Sequence, residues 1–294
     1  MKDLKKLEQI LNAPINIDNI NRINDLFIRY LFSYPGNENI ALNFINSVFK
    51  DSNFNTFKSI EILNPFNISE NYDEKESIVD IKAVTESGIT VLIEIQARGN
   101  ESFIKRSLYY WAYNYTSNLE RGIYYDELKP TVSINIINFK LKNIDKLHSC
   151  FLLKELTNNN ILTDHCQIHF IGLPNFDNIT KDLDNEFLSW VKFFKGEDMS
   201  LLIKENTVFE EVDKKCKTFF NTSPVMDKYK KAEIDAYFFD ESMKIDLQKA
   251  REEGIEQGRK KEQIDIAKSF KKSGIDIKII SENTGLTIEE IEKL

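Results

Sequence analysis

The chain has no excess of basic charge, no cysteine framework and no long apolar run, and each absence removes a class of protein. Its 294 residues hold 39 Lys and Arg against 47 Asp and Glu, a net charge of −8. Such a chain does not coat nucleic acid through bulk charge, although a local basic groove with a metal can work on an acidic protein. Three cysteines, Cys150, Cys166 and Cys216, are an odd number without framework spacing, so reduced thiols and no structural disulfides are expected. No apolar stretch approaches the roughly eighteen residues of a membrane span. The opening MKDLKKLEQILNAP is too polar for a secretory signal, and a cytoplasmic location is expected. What is present, 41% hydrophobic and 29% charged residues, describes a folded soluble protein with one good core plus an appended element, or two small domains.

The most informative stretch is SIVDIKAVTESGITVLIEIQA, residues 77 to 97, two strand-like runs around a Gly turn. Side chains two apart in a strand share a face. One face therefore carries Val79, Ile81, Ala83, Val91, Ile93, Ile95 and Ala97, while the other carries Asp80, Lys82, Thr90, Glu94 and Gln96 among Ile78, Val84 and Leu92. A half-buried hairpin with an ordinary solvated face has the same pattern. Register separates the two readings. If Glu86, Ser87 and Gly88 form a three-residue loop with Gly88 left-handed, Thr85 lies opposite Ile89 and Asp80 opposite Glu94. Directly opposed carboxylates destabilise an antiparallel pair unless something cationic lies between them. Mg²⁺, with Mn²⁺ as a substitute ion, suits such oxygen ligands, and Asp80 and Glu94 with the Ile95 carbonyl form the expected site.

A second metal reading lies between His148 and His169, which bracket all three histidines and Cys150 and Cys166. Nitrogen and sulfur ligands suit zinc. However, no Cys-x-x-Cys pair is present, and Cys166, Ile168 and Phe170 share one parity of a strand, opposite His165 and His169. Ordinary sheet residues account for this pattern, and zinc is not expected.

Helical spacing predicts helices over residues 22–34 and 39–50 with a break at Pro35-Gly36, and a strand over 57–63. Residues 102–122 read as a helix with Phe103, Leu108, Trp111, Ala112, Tyr115 and Leu119 on its core stripe; an aromatic surface for stacking bases is the alternative. Arg106, one turn before Tyr110, could reach a phosphate from that helix. Strands are expected over 131–139 and 165–171, and mostly helix over 184–248. The alternation favours an α/β sandwich with a mixed sheet.

The tail changes character. LQKAREEGIEQGRKKEQIDIAKSF reads as a long exposed helix with Gly254 and Gly258 four apart, followed by two short helices separated at Thr284-Gly285. Thr287 and Glu290 make a capping box. The outline is that of a helix-turn-helix, but Glu289, Glu290 and Glu292 would be repelled by phosphate, which favours assembly over DNA reading. The apolar stripe Ile234, Tyr237, Phe238 and Ile245 supports self-association, so a homo-oligomer through the C-terminal helical region is expected. Expected boundaries are a lead over 1–20, the main domain over 21–200, a helical extension over 201–260 and a small helical module over 261–294.

The ordered blocks NDLFIRYLF (24–32), ALNFINSVF (41–49), KESIVDIKAVTESGITVLIEIQ (75–96), KRSLYYWAYNY (105–115) and LTDHCQIHFIGLP (162–174) resemble the Rpn family of recombination-promoting nucleases and putative transposases, in the PD-(D/E)XK nuclease superfamily. The resemblance covers roughly residues 20–200 and recurs in the glycine-spaced tail. It implies a restriction-endonuclease-like α/β core and Mg²⁺-dependent cleavage of DNA phosphodiesters associated with recombination. Asp80 and Glu94 match the family's acidic positions, Gln96 stands where the superfamily pattern has lysine, and Arg106 and Tyr110 match positions on the following helix. Arg29 stands where relatives usually have lysine, and Gly172 where they usually have an acidic residue. Lys82, on the same face as Asp80, is the candidate for the missing cation. Two rivals are a catalytically weak or inactive DNA-binding or assembly protein, and a transposase that joins strands as well as cutting them.

Overall fold

The computed structural model describes residues 15–64, 66, 80–119, 124–178 and 182–294. The chain divides into two compact units, one ending at Glu233 and one running from Ile234 to Leu294.

The first unit is built on a six-stranded mixed sheet of order β1-β2-β3-β4-β6-β5. Its strands are β1 (Ile60–Ile62), β2 (Ile81–Thr85), β3 (Thr90–Gln96), β4 (Thr131–Ile137), β5 (His148–Lys154) and β6 (Ile161–Gly172). β1, β2 and β3 form an antiparallel meander, β3, β4 and β6 run parallel, and β5 returns antiparallel on the edge. Helix α3 (Ser102–Ser117) makes the crossover that two parallel neighbours, β3 and β4, require.

On one face the β-branched residues Ile81, Val91, Ile93, Ile95, Val132, Ile134 and Ile136 pack against α1 (Asp25–Ser33), α2 (Glu38–Asp51), α4 (Asn185–Phe194), α5 (Met199–Glu205) and α6 (Val208–Phe220). The two N-terminal helices form where the 3.6-residue spacing predicts them. Asn24 caps α1 by accepting from the Phe27 N–H, and Gly36 turns the chain with φ +87°. The centre of this layer is aromatic, with Phe32, Phe44 and Trp190 fully buried and in ring contact. α3 covers the opposite face, above a smaller cluster that includes Phe103, Ile137, Cys166, Ile168 and Phe170.

Two features depart from expectation, and a third decides between two readings. β5 was not foreseen; its sequence HSCFLLK has no clean alternation, and as an edge strand it is half exposed. The stripe of α3 is also different: Phe103, Ser107 and Asn114 are buried, whereas Leu108 is 48% exposed and Ala112 faces solvent. The helix covers the polar side of β3 and β4, so its inner face needs donors. Trp111 Nε1 donates to the Thr131 carbonyl at 2.7 Å, and Asn118 donates to Thr90 Oγ1 and Thr131 Oγ1. Third, the polar face of the hairpin is not solvated: β3 is buried on both sides, with Thr90, Leu92 and Glu94 inside.

The second unit contains most of α7 (Ser223–Lys272), a helix of 50 residues, followed by α8 (Ile277–Thr284) and α9 (Ile288–Glu292). Ala267, Ile280, Leu286 and Ile291 form its small core. Gly285 ends α8 in the left-handed conformation at φ 73°, and the Thr287–Glu290 capping box starts α9 as its spacing predicts. Among the described residues, no helix is long and apolar enough to cross a membrane.

Candidate active site

The site begins with a turn. The Thr85 N–H donates to the Ile89 carbonyl at 3.0 Å, the Gly88 N–H to the Thr85 carbonyl at 2.9 Å, and Gly88 has φ +83°. A side chain with a Cβ is strained there, which is why the loop needs glycine. From this turn β2 and β3 pair with Ile81 opposite Ile93, Lys82 opposite Leu92 and Ala83 opposite Val91. One more step brings Asp80 opposite Glu94, as the loop length predicts. Ser77, Ile78 and Val79 lie outside the described residues.

Two contacts fix Asp80. Its Oδ2 accepts from the Ile95 N–H at 2.8 Å, so Ile95 reaches this carboxylate through its N–H. Asn64, just beyond β1, donates to the Asp80 carbonyl at 3.2 Å and accepts from the Lys82 N–H at 2.6 Å. Asn64 thus clamps the backbone on both sides of Ile81, a role its place in a loop did not announce.

Glu94 is 4% exposed, and its Oε1 is buried without a hydrogen bond from any described residue. Burial raises the carboxyls of both Glu94 and Asp80 well above the ordinary carboxylate range, and for Glu94 the neighbouring Asp80 charge raises it further. Against this, Arg106 stabilises both charges, and the Asp80 N–H hydrogen-bonds to Glu94. An orphaned buried oxygen and two carboxylates that resist ionising together describe a pocket short of positive charge. The donors are all hard oxygens, which fit a divalent cation of the Mg²⁺ type, with Asp80 and Glu94 as the protein ligands.

Lys82 is half-buried on the same face, and burial pulls its ammonium below the usual lysine range. Gln96 ends β3, half-buried, on the same parity as Glu94. Arg106 projects from α3 over the ring of Phe103 at 4.7 Å and near that of Tyr110 at 6.0 Å. The structure therefore gathers Asp80, Lys82, Glu94 and Gln96 on one hairpin face, with Arg106 within electrostatic reach. Asp25 was missed, and Arg29 was noted only for standing where relatives usually have lysine; they lie one helical turn apart on α1, and their charges act on Asp80 in opposite directions. Their spacing on an amphipathic helix carries no sign of the hairpin more than fifty residues later.

The histidines are arranged differently from any zinc set. His148 Nδ1 meets Asp51 Oδ2 at 2.6 Å, His148 Nε2 meets His169 Nδ1 at 3.1 Å, and His165 meets the Tyr115 hydroxyl at 2.9 Å. Burial lowers His169 to about 3 and keeps it neutral. Asp51 Oδ1 also accepts the Asp184 N–H, so this network ties the end of α2 to β5, β6 and the start of α4. Among the described residues no cluster of three His, Cys, Asp or Glu forms a metal-binding group.

A family model described as PD-(D/E)XK nuclease family transposase matches residues 22–254. The chain belongs to this family. The match spans most of the 294 residues, takes in α1, the whole sheet and the first part of α7, and agrees with the mixed sheet flanked by helices. It makes the chain a nuclease- or transposase-like protein. No curated protein and no solved structure gives a significant match.

Proposed function

We propose that this PD-(D/E)XK protein is a Mg²⁺-dependent DNA endonuclease, working in the cytoplasm and associated with recombination. The observation that carries the reading is the opposed pair Asp80 and Glu94, with a buried carboxylate oxygen that no described residue satisfies. In this reading the nuclease part expected over 21–200 takes in the helices packed on its sheet as far as Glu233, and the rest of α7 with the small module follows from Ile234.

A divalent ion held by Asp80 and Glu94, with the Ile95 carbonyl as a further oxygen, would supply Lewis-acid stabilisation of the phosphoryl oxygens and a more acidic bound water. The remaining work falls to side chains of this chain. Gln96 orients the attacking water through its amide, which donates and accepts but brings no charge. Lys82 supplies the cation that Gln96 lacks, from a half-buried place on the same face where desolvation lowers its pKa. Arg106 holds a backbone phosphate, and Tyr110 shapes the adjoining surface beside Tyr109 and Tyr113, which are 62% and 47% exposed. Hydrolysis places water oxygen on phosphorus and expels a sugar oxygen. A transposase would use the same site with a DNA hydroxyl as nucleophile.

The raised carboxyl pKa values favour one rival: the pair could share a proton, as in a noncatalytic DNA-binding or assembly protein. Calorimetric titration with Mg²⁺ separates the two, because a proton-sharing scaffold gives no heat that depends on Asp80 and Glu94. Purified protein with Mg²⁺ should nick supercoiled plasmid, and D80A and E94A should each abolish nicking. Cleavage that persists in both variants assigns the activity to another site or a contaminant.

A further inference from the structure

Between Phe239 and Gly258, α7 presents a face that nothing in its own unit covers. Phe239, Met243 and Leu247 are 54%, 53% and 73% exposed, Ala250 is exposed, and a Cβ added at Gly254 or Gly258 would meet no atom within 4 Å. At about 100° per residue, these six positions fall within roughly 100° of arc on one side of the helix. The N-terminal three are large and the C-terminal three are small.

We propose that this face is the contact between two copies of the chain, packed as an antiparallel helix pair about a two-fold axis level with Gln248 and Lys249. In that register Leu247 lies against Ala250 of the second copy, Met243 against Gly254 and Phe239 against Gly258, and the same pairs recur on the other side of the axis. Each large side chain meets a small one, so the helices approach closely and leave no void. Parallel pairing would set Phe239 on Phe239 and Gly258 on Gly258, with bulk at one end and a gap at the other. Charge makes the same choice. Residues 236–248 hold four charged groups, one of them basic, for a net −2, and residues 249–261 hold eight, five of them basic, for a net +2. Antiparallel pairing sets the acidic half of each helix against the basic half of its partner. This inference does not depend on the nuclease assignment.

Disulfide trapping in the full chain tests it. The double variant M243C/G254C, mildly oxidised with oxidised glutathione, should form a covalent dimer as its main product. The two positions lie about 16 Å apart along one helix and cannot bridge within a chain. M243C alone and G254C alone should stay at the background set by the wild-type chain with its Cys150, Cys166 and Cys216. Cross-linking of M243C to itself would establish parallel pairing, and a double variant at background would show that the faces do not meet; either overturns the proposal. Sedimentation gives the second readout. G254L improves helix propensity yet should weaken the dimer about tenfold or more by overpacking the contact. The stripe expected from sequence, Ile234, Tyr237, Phe238 and Ile245, lies on the far side of the helix with Tyr237 buried, so I245S should leave the dimer intact. A G254L dimer as tight as wild type, or a wild-type chain that sediments as a monomer at every concentration, refutes the pairing.

Discussion

Replacing Glu94 by Gln tests the proposed metal site through stability as well as activity. Both carboxyls of the pair are raised above their unfolded values, so the folded protein holds protons that the unfolded chain has released. Stability from this source is fully present below the unfolded pKa near 4.5 and is lost as pH rises through neutrality toward the folded value. One proton contributes a slope of at most about 1.4 kcal/mol per pH unit, so the metal-free protein should lose up to about 3 kcal/mol between pH 5 and pH 7 from Glu94 alone, and Asp80 adds to the slope at the acid end of that interval. E94Q keeps the shape and removes the Glu94 titration, leaving only that of Asp80, so its urea-unfolding free energy should be flatter across that interval. Mg²⁺ at a hundred times its dissociation constant should return about 2.7 kcal/mol to the wild type. It should return far less to E94Q, which should not nick plasmid. The reasoning fails if E94Q keeps the wild-type pH slope without metal, or is stabilised by Mg²⁺ as strongly as the wild type.

Other changes probe the parts separately. K82M should lower the nicking turnover at saturating Mg²⁺ far more than it lowers Mg²⁺ affinity by calorimetry; unchanged turnover would remove Lys82 from the chemistry. N64A breaks both bonds that bracket Ile81 and should cost about 1–2 kcal/mol in denaturant unfolding, with weaker Mg²⁺ binding because Asp80 loses its anchor. D51A strands His148 and the Asp184 N–H inside the first unit and should cost about 1–3 kcal/mol, read as a lower urea midpoint. T287A removes the cap of α9 and should cost about 1 kcal/mol, visible as faster amide exchange in α8 and α9 with the nicking rate unchanged.

The hairpin was legible because three independent signals coincide: strict parity, a glycine where the turn needs positive φ, and equal arm lengths that put two carboxylates level. The capping box and the helix break at Thr284-Gly285 were legible because they are local, written within four residues. Non-local arrangements were not. Asp25 and Arg29 lie on a helix whose periodicity tells only which side is buried, and Asp51 reaches His148 across almost a hundred residues. α3 misled for a physical reason: reading apolar residues as the inner stripe assumes an apolar partner, whereas this helix lies on the polar face of β3 and β4 and buries Ser107 and Asn114. β5 carries mixed residues because an edge strand has one unpaired side and little to exclude.

The equal arms of the hairpin make the site sensitive to counting. Thr85 stands five steps from Asp80, and Ile89 five steps from Glu94, so the two acids are level only while both counts agree. A residue inserted into the Glu86–Gly88 loop lengthens the tip and is absorbed there. The same residue inserted into either arm slips the pairing by one and turns one carboxylate to the opposite face of the sheet, among Ile81, Val91 and Ile93. The turn thus tolerates insertions that the strands beside it do not, even though no residue of the acidic pair is altered in either case.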